Sequence, residues 1–352
     1  MKLVMTLLAR DEADIVDAQM AFHLNAGVDF VVATDNRSED GTTEILERYE
    51  RAGVLHLIRE EGDDMRQDEW VTRMARLAAT EFGADWVVNA DADEFWWPRE
   101  GSLKDVFAAI PERYGVIRGC WRHFPPRPAT GDDSFFAERM TVRLCVPAHP
   151  GRKETIFHAH QKVAHRADPN VTIEPGNHNA AGARLAPFRG WHPLEVLHFS
   201  LRSVSQLERK AVRDWRGWTR NPHGPTLHQV LAFEAQRDGR LDDYFGSFVV
   251  SDEALARGIA DGTLAVDTRV RDALRALRMD DDGFRIPVEA AGALAFPRPD
   301  VRDDAIYAGE ASVLVEIDGV VRAESRVDAF EARLASLEHL FLPRLRRRLA
   351  PR

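Results

Sequence analysis

Cysteine is nearly absent from this chain. Its 352 residues include only Cys120 and Cys145. That is too few for a disulfide scaffold, and no C-x-x-C spacing suggests a metal or redox pair, so a reducing, cytoplasmic setting is the expectation. No apolar run approaches the roughly 20 residues needed to span a bilayer. The opening MKLVMTLLARDEAD places Lys2 before apolar residues as a signal peptide would. That run ends at Arg10 and Asp11 without a small-residue cleavage site, so it reads as a strand. A basic face is also missing: the formal charge is -10 and the one dense basic run is the terminal RLRRRLAPR, which excludes a general nucleic-acid binder. Neither a G-x-x-x-x-G-K-S/T loop nor a G-x-G-x-x-G turn follows the first apolar segment, which counts against phosphoryl or nucleotidyl transfer on a P-loop and against a dinucleotide site.

What is present is a repeating unit. Leu3 to Leu8 is an apolar run of strand length, followed at helix spacing by Ile15, Val16, Met20 and Leu24, with Gly27 as the stop. VDFVVAT is a second strand, DNRSEDGT a turn-rich link, and Ile45, Leu46 and Tyr49 mark a second helix before Gly53. VLHLI makes a third strand. A longer helix over 65–82 carries Trp70, Met74, Leu77 and Ala78 and closes at Gly83, and DWVVNA is a fourth strand. Strands that are almost wholly apolar, alternating with helices, predict a mostly parallel sheet covered on both faces.

In such sheets ligands bind beyond the carboxyl ends of the strands. Three polar clusters fall at three of these ends: Arg10, Asp11 and Glu12; Asp35 and Asn36; Asp91, Asp93 and Glu94. They are expected to share one cleft. Asp91 and Asp93 are two apart, so an extended chain leans them to one face, where paired hard carboxylates suit Mg²⁺ or Mn²⁺. The alternative is that acidic residues merely cap a strand and solvate a turn.

At these residues the sequence resembles a family. LLARDEADIVDAQMAFHLNAGVDFVVATDNRSEDGT, followed by ADWVVNADADEFWWP, is similar to the family 2 type glycosyltransferases of the GT-A fold, in the bacterial D-A-D-E-F branch that is itself similar to family 92. Relatives often carry Asn-Glu where this chain has Asp11 and Glu12. The resemblance covers residues 1 to about 100 well and extends more weakly to about 205. It implies a GT-A-like catalytic domain over 1–205 that moves a sugar from a nucleotide-sugar donor, UDP- or GDP-linked, to an acceptor hydroxyl, with inversion. Asp35 would contact the base or ribose, and Asp91 and Asp93 would hold Mn²⁺ or Mg²⁺ against the diphosphate. Arg10, Asp11, Asn36 and Lys162 complete the expected donor side. Relatives also show a Lys, then a Gly-x-His, then a His before an aromatic; Lys162, His178 and His198 match that order, with His198 the expected third metal ligand. The base that deprotonates the acceptor is not fixed by sequence, and Glu94, His178 and Glu195 are the candidates, with Glu174 nearby. A non-catalytic sugar or nucleotide binder of the same fold is the competing class.

The region rich in histidine, residues 158–198, lacks H-x-x-x-H spacing, so zinc is not expected. Tryptophans such as Trp96, Trp97 and Trp121 suit sugar stacking but equally a core, and none is assigned to the site. The stretch from Arg122 to Phe136 is a Pro- and Gly-punctuated loop, an acceptor flap or a plain surface excursion. Residues 206–352 are expected to form a mainly helical extension. Its last helix, with Val327, Phe330, Leu334, Leu337, Leu340 and Leu342 on one stripe, would pack on the catalytic domain, form a homodimer seam, or bring the basic tail to an anionic membrane that carries a lipid-linked acceptor; a sugar or soluble glycan is the other acceptor class.

Overall fold

The computed structural model describes residues 1–277 other than 63–65, 129–134, 146–155, 158–159, 183–184, 189–192 and 219–224, together with Leu294 and Phe296. The chain divides into two compact units, Met1–Val301 and Arg302–Arg352, and the described residues all belong to the first. The expected C-terminal helix with its basic tail, part of the 122–136 loop, and His158, Trp191 and His192 lie outside the described residues.

The first half alternates as the apolar pattern requires: β1 (Leu3–Ala9), α1 (Val16–Asn25), β2 (Phe30–Asp35), α2 (Thr42–Arg51), β3 (Leu55–Arg59), α3 (Gln67–Thr80) and β4 (Trp86–Asp91). All seven residues of β1 are buried. The reason is visible in where they go. Leu3, Met5 and Leu7 join one core cluster with Phe22 of α1 and Leu46 of α2, while Val4 and Leu8 join another with Trp70 and Met74 of α3. Alternate side chains of one strand thus feed two helix layers, which is why the strand reads apolar throughout.

The second half is mixed. It contains β5 (Glu94–Pro98), α4 (Leu103–Ala109), β6 (Val116–His123), α5 (Phe136–Arg139), β7 (Val142–Leu144), β8 (Gln161–Arg166), β9 (Thr172–Ile173), β10 (Ala180–Ala181) and β11 (Leu194–His198). The main sheet runs β3-β2-β1-β4-β8-β6-β11-β5, with β8 and β5 antiparallel to their neighbours and the other strands parallel. This is the Rossmann-like, GT-A-like architecture that the resemblance implied. Only Ala92 and Asp93 join β4 to β5, yet β8, β6 and β11 lie between those two strands in the sheet order. The sheet must therefore curl so that its far edge returns to the carboxyl end of β4.

A buried histidine secures that edge. His23, in the last turn of α1, sits with its Nε2 accepting from the Trp96 amide of β5 at 3.1 Å, so its proton is on Nδ1, which donates to the Gln19 carbonyl at 2.8 Å. Burial holds His23 neutral and lowers its pKa to about 4, against the opposing pull of the Gln19 hydrogen bond.

Beyond the sheet come α6 (Val204–Trp218), α7 (Leu227–Arg237), α8 (Leu241–Gly246), α9 (Asp252–Asp261), β12 (Leu264–Val266) and α10 (Arg269–Ala276). Ser251 caps α9 by accepting from the Ala254 amide through its side chain, and Gly262 closes that helix in the left-handed region. Leu207 and Ala211 of α6, Ala232 of α7 and Phe248 form a third apolar cluster. Among the described residues no helix is long and apolar enough to cross a membrane.

Candidate active site

Register brings the polar strand ends together. In the sheet His198, the last residue of β11, lies opposite Glu94, the first of β5, and opposite His123, the last of β6. Lys162, near the start of β8, lies opposite Gly119 on β6. A cavity of about 260 Å³ opens here, lined by Arg10, Glu12, Asn36, Asp91, Asp93, Trp121, Lys162, His178, His198 and Lys210 among others. The three clusters expected to share a cleft do so through Arg10 and Glu12, Asn36, and Asp91 and Asp93.

The D-A-D-E segment differs from the extended chain expected of it. The strand β4 ends at Asp91, Ala92 and Asp93 form a turn, and the two carboxylates meet different partners. Asp91 pairs with the Lys162 ammonium through Oδ2 and accepts through Oδ1 from Asn177 at 3.1 Å and Gln67 at 3.3 Å. Asp93 faces His198 at 3.6 Å, Lys210 at 3.4 Å and Arg202 at 3.8 Å. Burial alone would push Asp93 upward, but Lys210, His198 and Arg202 hold its carboxyl well below the usual range. Glu94 lies beneath them, fully buried, and braces the turn: Oε2 accepts from the Asp91 amide, and Oε1 from the Trp121 indole at 2.9 Å. Burial, opposed by Lys162 and reinforced by Asp91, raises the pKa of Glu94 to about 7.

Among the described residues, Asp93, Glu94 and His198 offer ligand atoms that all lie within 4.8 Å of one another, and Asp91 is outside that group. Two carboxylates and an imidazole fit a hard to borderline divalent ion, Mn²⁺ better than Mg²⁺ because of the nitrogen donor. Asp93 and His198 line the cavity and would hold such an ion directly. Glu94, which is not among the lining residues, would tune the site from behind.

Several of the expected residues lie away from the cavity. Glu195 cannot serve as a base in this arrangement. Three residues from His198 in the same strand, it lies on the opposite face, where Arg122 at 2.7 Å and Arg269 at 2.6 Å clamp its oxygens. Burial would raise its pKa, but Arg269 and Arg122 outweigh burial and press it far below the carboxylate range. Glu94 is fully buried and does not line the cavity, so its carboxyl does not face the space an acceptor hydroxyl would enter. Asp35 braces the loop after β2, with Oδ1 accepting from Ser38 Oγ and Oδ2 from Thr43 Oγ1, both at 2.5 Å. Asp11, in the left-handed region at φ 55°, accepts from the Glu39 amide. Neither lines the cavity; the neighbouring Arg10 and Asn36 do, joined by a 2.9 Å hydrogen bond. Glu174 accepts from Asn179 and also lies off the cavity.

His178 does reach the cavity, its ring stacked on His160 at 3.5 Å and its Nδ1 2.8 Å from the Gln161 carbonyl. A carbonyl can only accept, so Nδ1 carries the proton and Nε2 is the basic nitrogen. Gly176 is required beside it: its φ is +75°, and a Cβ there would meet that Nε2 at 2.3 Å.

Four residues that build the site geometry escape the sequence reading. Trp121 places its indole face on His198, at 4.5 Å and 19° between planes, while its N–H holds Glu94. Arg202, with its side chain 1% exposed, joins Glu12, Asp14 and Asp93. Lys210 of α6 bridges Glu12 and Asp93. Gln67 links α3 to Asp91 and to the Gly176 amide. Of these only Trp121 carried any signal, as an aromatic beside strand-like residues.

No protein-family model matches the chain, and neither does any curated protein. Among solved structures, the chain is similar to S. aureus TarS residues 1–349 in complex with UDP, at 13% identity over 85% of this chain and 100% of that one, with a TM-score of 0.33. It is also similar to glucosyl-3-phosphoglycerate synthase from Mycobacterium tuberculosis in complex with Mn²⁺, UDP and glucosyl-3-phosphoglycerate, at 19% identity over 34% of this chain and 44% of that one, with a TM-score of 0.24.

Proposed function

We propose that this chain is a metal-dependent glycosyltransferase that moves a sugar from a nucleotide-sugar donor to an acceptor hydroxyl. One observation carries the reading: at the carboxyl ends of the strands, Asp93, Glu94 and His198 cluster within 4.8 Å, and the same cavity is lined by Arg10, Lys162 and Lys210. A cation site beside fixed positive charge is what a metal-bound diphosphate needs. Sugar transfer leaves a nucleoside diphosphate, and a divalent ion at Asp93 and His198 would supply the Lewis acidity that meets its developing charge. Arg10 stands on the cavity wall for the same anion. Lys162 keeps Asp91 and Glu94 neutralised; burial disfavours its charge, but Asp91 and Glu94 more than compensate and raise its pKa, so its ammonium is permanent.

Among the expected bases His178 fits best, since its Nδ1 donates to the Gln161 carbonyl, which makes Nε2 the basic nitrogen of the neutral ring, and it lines the cavity. The donor is UDP- or GDP-linked in this reading, the acceptor a sugar, a glycan or a lipid-linked sugar, and the outcome inversion.

Thermal unfolding against UDP, GDP, ADP and TDP, each with and without Mn²⁺, tests the proposal. Ligand at about 100 times its Kd stabilises the folded state by about 2.7 kcal/mol, a rise of several degrees for a chain of this size. One nucleotide should raise the midpoint, and only with Mn²⁺. No shift from any of them, or one indifferent to the metal, would defeat the reading.

A further inference from the structure

We infer that Lys210 is the resident counter-cation of the site, and that a divalent ion at Asp93 and His198 binds by displacing its ammonium. The inference rests on the functional reading above. Its Nζ lies 2.7 Å from Glu12 Oε1 and 3.4 Å from Asp93 Oδ2, on the same carboxylate whose Oδ1 faces His198, and Lys210, Asp93 and His198 all line the cavity.

The two cations that hold Asp93 differ in their freedom to leave. Arg202 is locked, its guanidinium bound to Glu12, to both Asp14 oxygens and to the Phe199 carbonyl, with 1% of its side chain exposed. Lys210 is 27% exposed and ends a flexible four-carbon stem rooted on α6, outside the sheet. A divalent ion against the same carboxylate would stand close to the ammonium in a partly buried, low-dielectric place, where like charges repel strongly. Arg202 cannot yield, so Lys210 must. The displaced ammonium stays attached to the cavity wall, where a diphosphate would find it.

Two effects of opposite sign follow. Removing the Lys210 charge takes away a competitor of the metal and a partner of the anion. Metal and nucleotide therefore help each other bind in the native chain, because each relieves a charge imbalance that the other creates, and such coupling is reciprocal.

Calorimetric titration of Mn²⁺ alone, and of UDP and GDP at saturating Mn²⁺, into wild type, Lys210→Met, Lys210→Gln and Lys210→Arg reads both signs. The Met and Gln variants should bind Mn²⁺ about tenfold more tightly and the nucleotide about tenfold more weakly, while Lys210→Arg stays close to wild type in both. Using two neutral side chains keeps the test informative if one variant folds poorly. Wild type that binds Mn²⁺ while both neutral variants bind it equally or less tightly would overturn the inference and leave the functional reading standing. No Mn²⁺ binding by any of the four proteins would overturn both.

Discussion

Replacing Asp93 with Asn should lower kcat/KM for sugar transfer on the order of 10³-fold or more and abolish the Mn²⁺-dependent binding of nucleotide. Asp93 is the carboxylate of the ligand trio that lines the cavity, since Glu94 is fully buried below it. Asparagine keeps the shape but offers the ion no charge. A metal that stabilises leaving-group charge contributes several kcal/mol to the barrier, and about 4 kcal/mol corresponds to roughly 10³ in rate. The fold should survive, because Arg202 retains Glu12 and Asp14 as counterions. A thermal midpoint within a few degrees of wild type, measured alongside the rate, separates lost chemistry from lost structure. Activity within tenfold of wild type would show that the cluster does not hold a catalytic ion.

The second large effect is acid instability. His23, His165 and His228 are each lowered by burial to about 4 from an ordinary 6.5. Between those pH values the unfolded chain binds protons that the folded chain refuses, so stability falls as pH falls from about 6.5 to about 4. Glu94 works in the opposite direction: raised by burial to about 7, it keeps its proton in the folded state through most of that window. Three protons favour the unfolded state against one that favours the folded state, leaving about two. At about 1.4 kcal/mol per proton per pH unit, stability should drop by roughly 2.7 kcal/mol per unit, which is large beside a typical total of about 5–15 kcal/mol. His23 links this loss to the site, because its protonation would end the hydrogen bond from β5, the strand that carries Glu94. Urea unfolding at a series of pH values measures the slope, and His165→Leu should reduce it by about half. A flat profile from pH 6.5 to 4.5 would contradict these burial-shifted histidines.

How much of this could be read from the sequence follows from the range of the interactions. The first four strands were legible because each is a local apolar run with its helix beside it, and their polar ends are contiguous in sequence. The mixed half was not, because its order depends on pairings between distant segments: Lys162 reaches Asp91 across 71 residues and Arg202 reaches Glu12 across 190. No local pattern marks those partners. The opposite facing of Glu195 and His198 was legible from period two, since residues three apart in a strand face opposite ways. The turn at Ala92 and Asp93 was not, because spacing alone does not tell a strand that continues from one that breaks. Lys210 was hidden for another reason: a lysine on an amphipathic helix ordinarily belongs to its solvated face.

Anomalous diffraction from crystals grown with Mn²⁺ and the nucleotide selected by thermal shift tests the central claim most directly. The account predicts a manganese peak at Asp93 and His198, with the nucleotide's diphosphate beside it. Nucleotide bound with no manganese at those two residues, or manganese held only elsewhere on the chain, would contradict it.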